Sequence, residues 1–189
     1  NVNWSVTGGV GTVNPAFGQS TTLTLDAPGA GQIVADHATA TDDSSGVLTV
    51  SGGAVYRVKV LVGASGNSPV VGETNLTTDE TLTVHAGGFD INDNYLGDFE
   101  VDWSVSGNIG DVSPVTAIST TLNANSVGNG QLIADHATAI DGQSGNISVT
   151  AGALTTIRVV EGPTGDGVAL DTRTMTADQT LTVHAAGYD

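Results

Sequence analysis

The chain has 189 residues, no cysteine, 26 glycines and 20 acidic residues against four lysines and arginines, for a net charge of −16. That length and an apolar share of 39% suit one or two domains with ordinary cores, and the missing cysteines exclude disulfide staples. The charge excludes a nucleic-acid binder, which needs a basic patch against phosphate, and docking on anionic lipid; no apolar run approaches the ~20 residues of a membrane helix, so no membrane insertion is expected.

From the N-terminus, "NVNWSV" at 1–6 reads as a strand that starts in the middle of a unit, because the same pattern returns later as "EVDWSVSG" at 100–107. "YRVKVLVG" at 56–63 is a further strand. "TLTVHA" at 81–86 places Leu82, Val84 and Ala86 inward and Thr83 and His85 outward. Residues 91–99 then read as the turn into the third strand of the unit. In that strand Val101, Trp103 and Val105 share one face, with Asp102 and Ser104 on the other. "ISVTAG", "TIRVVEG" and a second "TLTVHA" at 180–185 complete the series, with Gly, Asn, Asp and Pro clusters between strands.

Sliding the chain along itself by 99 residues superposes Val2–Asp90 on Val101–Asp189 without an insertion, and more than two in five aligned positions are identical. Trp4 falls on Trp103, "ADHATA" at Ala35 on "ADHATA" at Ala134, and His85 on His184. About seven short strands and one Trp in ~100 residues predict an immunoglobulin-like sandwich whose Trp packs between two sheets. The expected fold class is therefore all-β: tandem immunoglobulin-like β-sandwiches with a 99-residue repeat. Residues 54–152 form one complete domain. Residues 1–53 hold the last five strands of another, and residues 153–189 the first two strands of a third.

"TLTVHAGGFD", "NYLGDFEVDWSVSGNIGDVSP", "STTLNANSVGNGQLIADH" and "SGNISVTAG" together resemble the bacterial immunoglobulin-like repeats of invasin- and intimin-type adhesins and other very large surface proteins. The resemblance runs through both copies. It implies a secreted or cell-surface stalk, spacer or filament element, sometimes with an adhesive tip; a module binding carbohydrate or a host surface is the alternative.

The stretch "DINDNYLGD" sets side-chain oxygens at Asp90, Asn92 and Asn94, then Asp98. Calcium takes six to eight oxygens, and such a loop supplies several, but Asn, Asp and Gly are also what tight turns use. The four residues are thus either calcium ligands or a polar hairpin turn. The spacing is also similar to the calcium signature of cadherin linkers, which lie between domains, whereas this loop lies within one.

His37 and His136 share the "ADHATA" context and His85 and His184 the "TLTVHA" context; duplication in both copies favours structural roles over acid–base or metal work. No nucleophile elbow, zincin pattern, phosphate loop or dinucleotide fingerprint occurs, so no enzymatic activity is expected. Sequons at Asn3, Asn75 and Asn146 are no more than chance supplies. Trp4 and Trp103 are expected in cores, leaving Tyr95 as the exposed ring.

A C-terminal pair of strands with Ile157, Val159, Leu181, Val183 and Ala185 on one face lacks an opposing sheet, and the N-terminal piece has the reciprocal deficit. Either the chain belongs to a longer continuous array, or strands of one copy complete the sandwich of the next. The expected partners are neighbouring copies of the same repeat.

Overall fold

The computed structural model describes residues 1–189, and every regular element in it is a β-strand. The N-terminal stretch holds β1 (Val2–Val6), β2 (Gly11–Asn14), β3 (Phe17–Gly18), β4 (Thr22–Leu25), β5 (Gly29–Gly31), β6 (Ile33–Asp36), β7 (Asp43–Ser44) and β8 (Leu48–Val50). The central stretch holds β9 (Arg57–Val62), β10 (Thr74–Thr77), β11 (Thr81–Phe89), β12 (Tyr95–Asp98), β13 (Val101–Val105) and β14 (Gly110–Ser113). It continues with β15 (Thr116–Ala117), β16 (Ser119–Ala124), β17 (Gly128–Gly130), β18 (Leu132–Asp135), β19 (Gly142–Gln143) and β20 (Ile147–Thr150). Two strands, β21 (Thr156–Glu161) and β22 (Val183–Tyr188), follow.

In the central stretch β11 is the organising strand. Its first half pairs antiparallel with β16, which pairs with β14; its second half pairs with β12; and its other edge takes β9. A separate sheet runs β15–β13–β18–β19, and a third joins β10 in parallel to β20, which also pairs with β17. The start of β9 reaches across to this second group through a parallel bridge from Arg57 to Ile140. Period-two alternation gives each strand one apolar face: Val101 and Trp103 on β13, Leu122 and Ala124 on β16, Ile147 and Val149 on β20. These faces meet Val58, Val60, Val84 and Ala86 of β9 and β11 in one buried cluster. The arrangement is compatible with a β-sandwich.

Two features depart from the sequence reading. The stretch 91–99 is more than a turn, since β12 folds back on Gly87–Phe89 of β11. His85, expected to face outward, does point to the face opposite Val84 but is fully buried. The loop after β9 and the Asp98 end of β12 close over it.

The N-terminal stretch reproduces the pairings β3–β1–β6–β7, β2–β4 and β5–β8, at element positions offset by 99 residues from β15–β13–β18–β19, β14–β16 and β17–β20. It contains no counterpart of β9, β10 or β11. In the C-terminal stretch β21 and β22 pair over their full lengths, as β9 and β11 do. Residues 173–176, which align with β10, are irregular there. Physically this follows, because β10 is held by ladder bonds to β20, and the C-terminal stretch holds no such partner.

Candidate functional site

Three regions gather polar or unpaired groups: the loop after β11, the junctions between stretches, and the open faces at the two ends.

In the loop, Asp90 is buried and works as a turn cap. Its Oδ1 accepts the backbone N–H of Asn92 at 3.0 Å and of Asn94 at 2.9 Å, and the Asn94 side-chain amide donates to Oδ2 at 3.0 Å. The Asn94 side-chain bond, then backbone donors from Asn94, Gly53 and Asn92, hold the Asp90 carboxyl below its usual range despite burial. Asp98 is engaged elsewhere. It accepts the Tyr95 hydroxyl at 2.6 Å and the Gly66 amide at 2.9 Å, with His85 Nε2 at 3.5 Å. Asp90 and Asn94 are thus brought together and Asp98 is turned away; no N–H or carboxylate bond involves the Asn92 side chain. No group of three or more His or acidic residues converges anywhere in the chain. As arranged, Asp90, Asn92 and Asn94 form a hydrogen-bonded turn.

Tyr95 is not an exposed ring. It packs on Phe89 with centroids 5.6 Å apart, and burial, then its bond to Asp98, pushes its phenol up to about 12. Asp93, at φ +69°, carries the loop's ion pairs, to Lys59 at 2.7 Å and Arg57 at 3.4 Å. Lys59 Nζ also lies 4.3 Å from the Phe89 ring centroid. Sequence reasoning missed this role of Asp93; half of the chain's four basic side chains lying on one strand was the available signal.

The same loop sits at a junction in space, although it lies inside one unit in sequence. Asn94 Nδ2 donates to the Asp26 carbonyl at 2.8 Å, linking the central stretch to the N-terminal one. Beside it lies an open cleft of about 430 Å³, lined by Leu25, Pro28, Val50, Val55, Tyr56 and Ile91 among others. The second junction is built alike. Asp189, which aligns with Asp90, accepts the Gly152 amide at 2.9 Å and the Thr78 hydroxyl, and Asp79 accepts the Ala153 amide at 3.3 Å. Gly152 aligns with Gly53, so one carboxylate restrains one linker glycine at both junctions.

Three of the four histidines are held by hydrogen bonds to the backbone. The Nδ1 atoms of His37 and His136 accept two backbone amides each, from Thr39 and Ala40 and from Thr138 and Ala139, capping the turn after β6 and β18. His85 faces the Gly63 carbonyl at 2.9 Å through Nδ1 and the Gly66 carbonyl at 2.6 Å through Nε2, which pins that loop.

The open faces are the third region. Residues that align with the central core are uncovered at both ends. Val84 is 0% exposed and its counterpart Val183 46%; Val60 is 0% and Val159 51%; Leu76 is 9% and Met175 40%. In the N-terminal stretch Trp4, Leu23, Ile33 and Leu48 are only partly covered, whereas Trp103, Leu122, Leu132 and Ile147 are buried. Two buried polar atoms there lack partners, Trp4 Nε1 and Thr21 Oγ1. Their counterparts are bonded, Trp103 Nε1 to the Ala117 carbonyl at 3.0 Å and Thr120 Oγ1 to the Pro114 carbonyl at 2.7 Å.

Comparison with known proteins returns no match: no family model, no curated protein and no solved structure is similar to this chain.

Proposed function

We propose that the chain is a structural segment of an extracellular prokaryotic filament or adhesin stalk, a linear array of immunoglobulin-like domains akin to bacterial surface-protein repeats. The strand pairing of the central stretch supports the domain type: β9, β11, β16 and β14 follow the order of one immunoglobulin sheet, and β13, β18 and β19 that of the other. The parallel pairing of β10 with β20 agrees with a first strand that switches sheets.

The observation that carries the reading is the recurrence of one set of strand pairings along the chain: β3–β1–β6–β7, β2–β4 and β5–β8 return 99 residues later as β15–β13–β18–β19, β14–β16 and β17–β20. Units repeated in this way with short linkers stack into a line, each touching only its neighbours. The paired junctions, with Asp90 and Asp189 on the linker glycines, limit bending between units and suit a stalk.

Small-angle X-ray scattering of the chain tests this. An elongated particle one domain wide is expected. A radius of gyration near the ~16 Å of a single compact globule of this length would sink the reading.

A further inference from the structure

We infer that the central unit bears tension along the array, and that the element resisting it is the parallel seam between the unit's first and last strand runs. The inference rests on the stalk reading above and adds the path of force through one unit.

Every pairing between named strands is antiparallel except that of β10 with β20, and the bridge from Arg57 to Ile140 is parallel as well. Both join the first run of the unit, 56–77, to its last, 140–150. The seam starts where Ile140 donates to the Tyr56 carbonyl at 3.0 Å and its own carbonyl accepts the Val58 amide at 2.9 Å. Further along, Gly145 donates to the Val71 carbonyl at 2.7 Å, Thr74 to the Asn146 carbonyl at 2.9 Å and Thr78 to the Thr150 carbonyl at 3.0 Å. Past the strands it reaches the linker. The Gly152 amide donates to the Thr78 hydroxyl at 2.8 Å and the Ala153 amide to the Asp79 carboxylate at 3.3 Å. Leu76, Ile147 and Val149 are buried, so water does not reach the ladder from the core side.

Two parallel runs point the same way, so the chain enters the unit at the start of one and leaves at the end of the other, at opposite ends of the seam. Tension between the linkers at 51–55 and 151–155 therefore pulls along the seam, and its ladder bonds resist together. An antiparallel pair pulled from one shared end opens one bond at a time instead. The first run has a second anchor in β9, which pairs along its whole length with β11, with Arg57 and Lys59 on Asp93. The linkers that deliver the force are the ones whose glycines Asp90 and Asp189 hold, so it passes between units through restrained chain.

The chain has no cysteine, and Ala54, Asp79 and Ala153 are exposed, so thiol handles for optical tweezers can be placed on them in the full chain. Handles on Ala54→Cys/Ala153→Cys load the seam along its length. Handles on Asp79→Cys/Ala153→Cys pull at one end of it, where the two runs finish side by side. Asp79→Ser is added to the first pair so that both lack the bond from Ala153. At one loading rate the first geometry is expected to rupture at a severalfold higher force than the second. Thr74→Pro removes a ladder donor at the first residue of a strand, where proline is tolerated. It should lower the first force and leave the second unchanged, because peeling starts at the opposite end. Equal forces in the two geometries, or no effect of Thr74→Pro along the seam, overturns the inference and leaves the array standing if scattering shows an elongated particle. A compact particle in scattering overturns the array reading, and with it the tension that the seam would bear.

Discussion

Leu122 and Leu23 occupy aligned positions in unequal surroundings, and replacing each by Ala separates the two. Leu122 is 0% exposed and belongs to the cluster that holds Trp103, Ile109 and Val84. Truncating a leucine so placed costs about 2–5 kcal/mol, transfer and cavity terms together, and a fully enclosed site with partners from both sheets belongs near the middle, about 3 kcal/mol. With a denaturant slope of about 1–1.5 kcal/mol/M for a unit of this size, the urea midpoint of Leu122→Ala falls by about 2–3 M. Leu23 lies at an uncovered edge, so Leu23→Ala in the dissociated chain costs no more than about 1 kcal/mol. Tryptophan fluorescence in a Trp4→Phe background follows the central stretch alone, and a Trp103→Phe background follows the N-terminal one. Equal costs at high dilution, or a Leu122→Ala variant within 1 kcal/mol of the parent, would refute the account of which core is complete.

Tyr95 sets an alkaline limit. Its phenol is raised to about 12, so its contribution is fully present below pH 10 and is lost as pH climbs from there toward 12; Tyr95→Phe should flatten that decline in a chemical-denaturation series. Asp90 sets an acid one: its carboxyl lies below the ordinary 3.8, so its support of the loop persists above that value and fades as pH drops through the lowered range. Hydrogen exchange at Asn92 and Asn94 should accelerate there, and equally in Asp90→Ala at neutral pH; unchanged protection would remove Asp90 from the turn. Calcium and a chelator should give the same melting temperature, and a rise of several degrees in calcium would mean that Asp90, Asn92, Asn94 and Asp98 rearrange around the ion. Gly107, at φ +79°, leaves a Cβ only 2.0 Å from the Asn129 carbonyl, so Gly107→Ala should cost at least about 1–2 kcal/mol by thermal melting, whereas Gly66→Ala, with nothing within 4 Å, carries only the conformational part.

The alternation of Val101, Trp103 and Val105 and of Leu82, Val84 and Ala86 was legible because side-chain period depends only on local backbone geometry. The same holds for the 99-residue offset, which any two copies reveal when compared. From these came the all-β class, and from Ile157, Val159 and Val183 the uncovered C-terminal face. Tertiary structure decided the rest. His85 looked solvent-facing because alternation names a face but not what lies over it; the Gly63–Gly66 loop, nineteen to twenty-two residues earlier, supplies the cover. The partners of Asp98 were not legible either, because β12 folds back on β11 and gives that carboxylate to Tyr95 and to Gly66, thirty-two residues earlier. The position of that loop at a junction, with Asn94 on the Asp26 carbonyl, joins residues sixty-eight apart. Local geometry is written in the order of residues, whereas burial and the direction of a carboxylate depend on which distant strand arrives beside it.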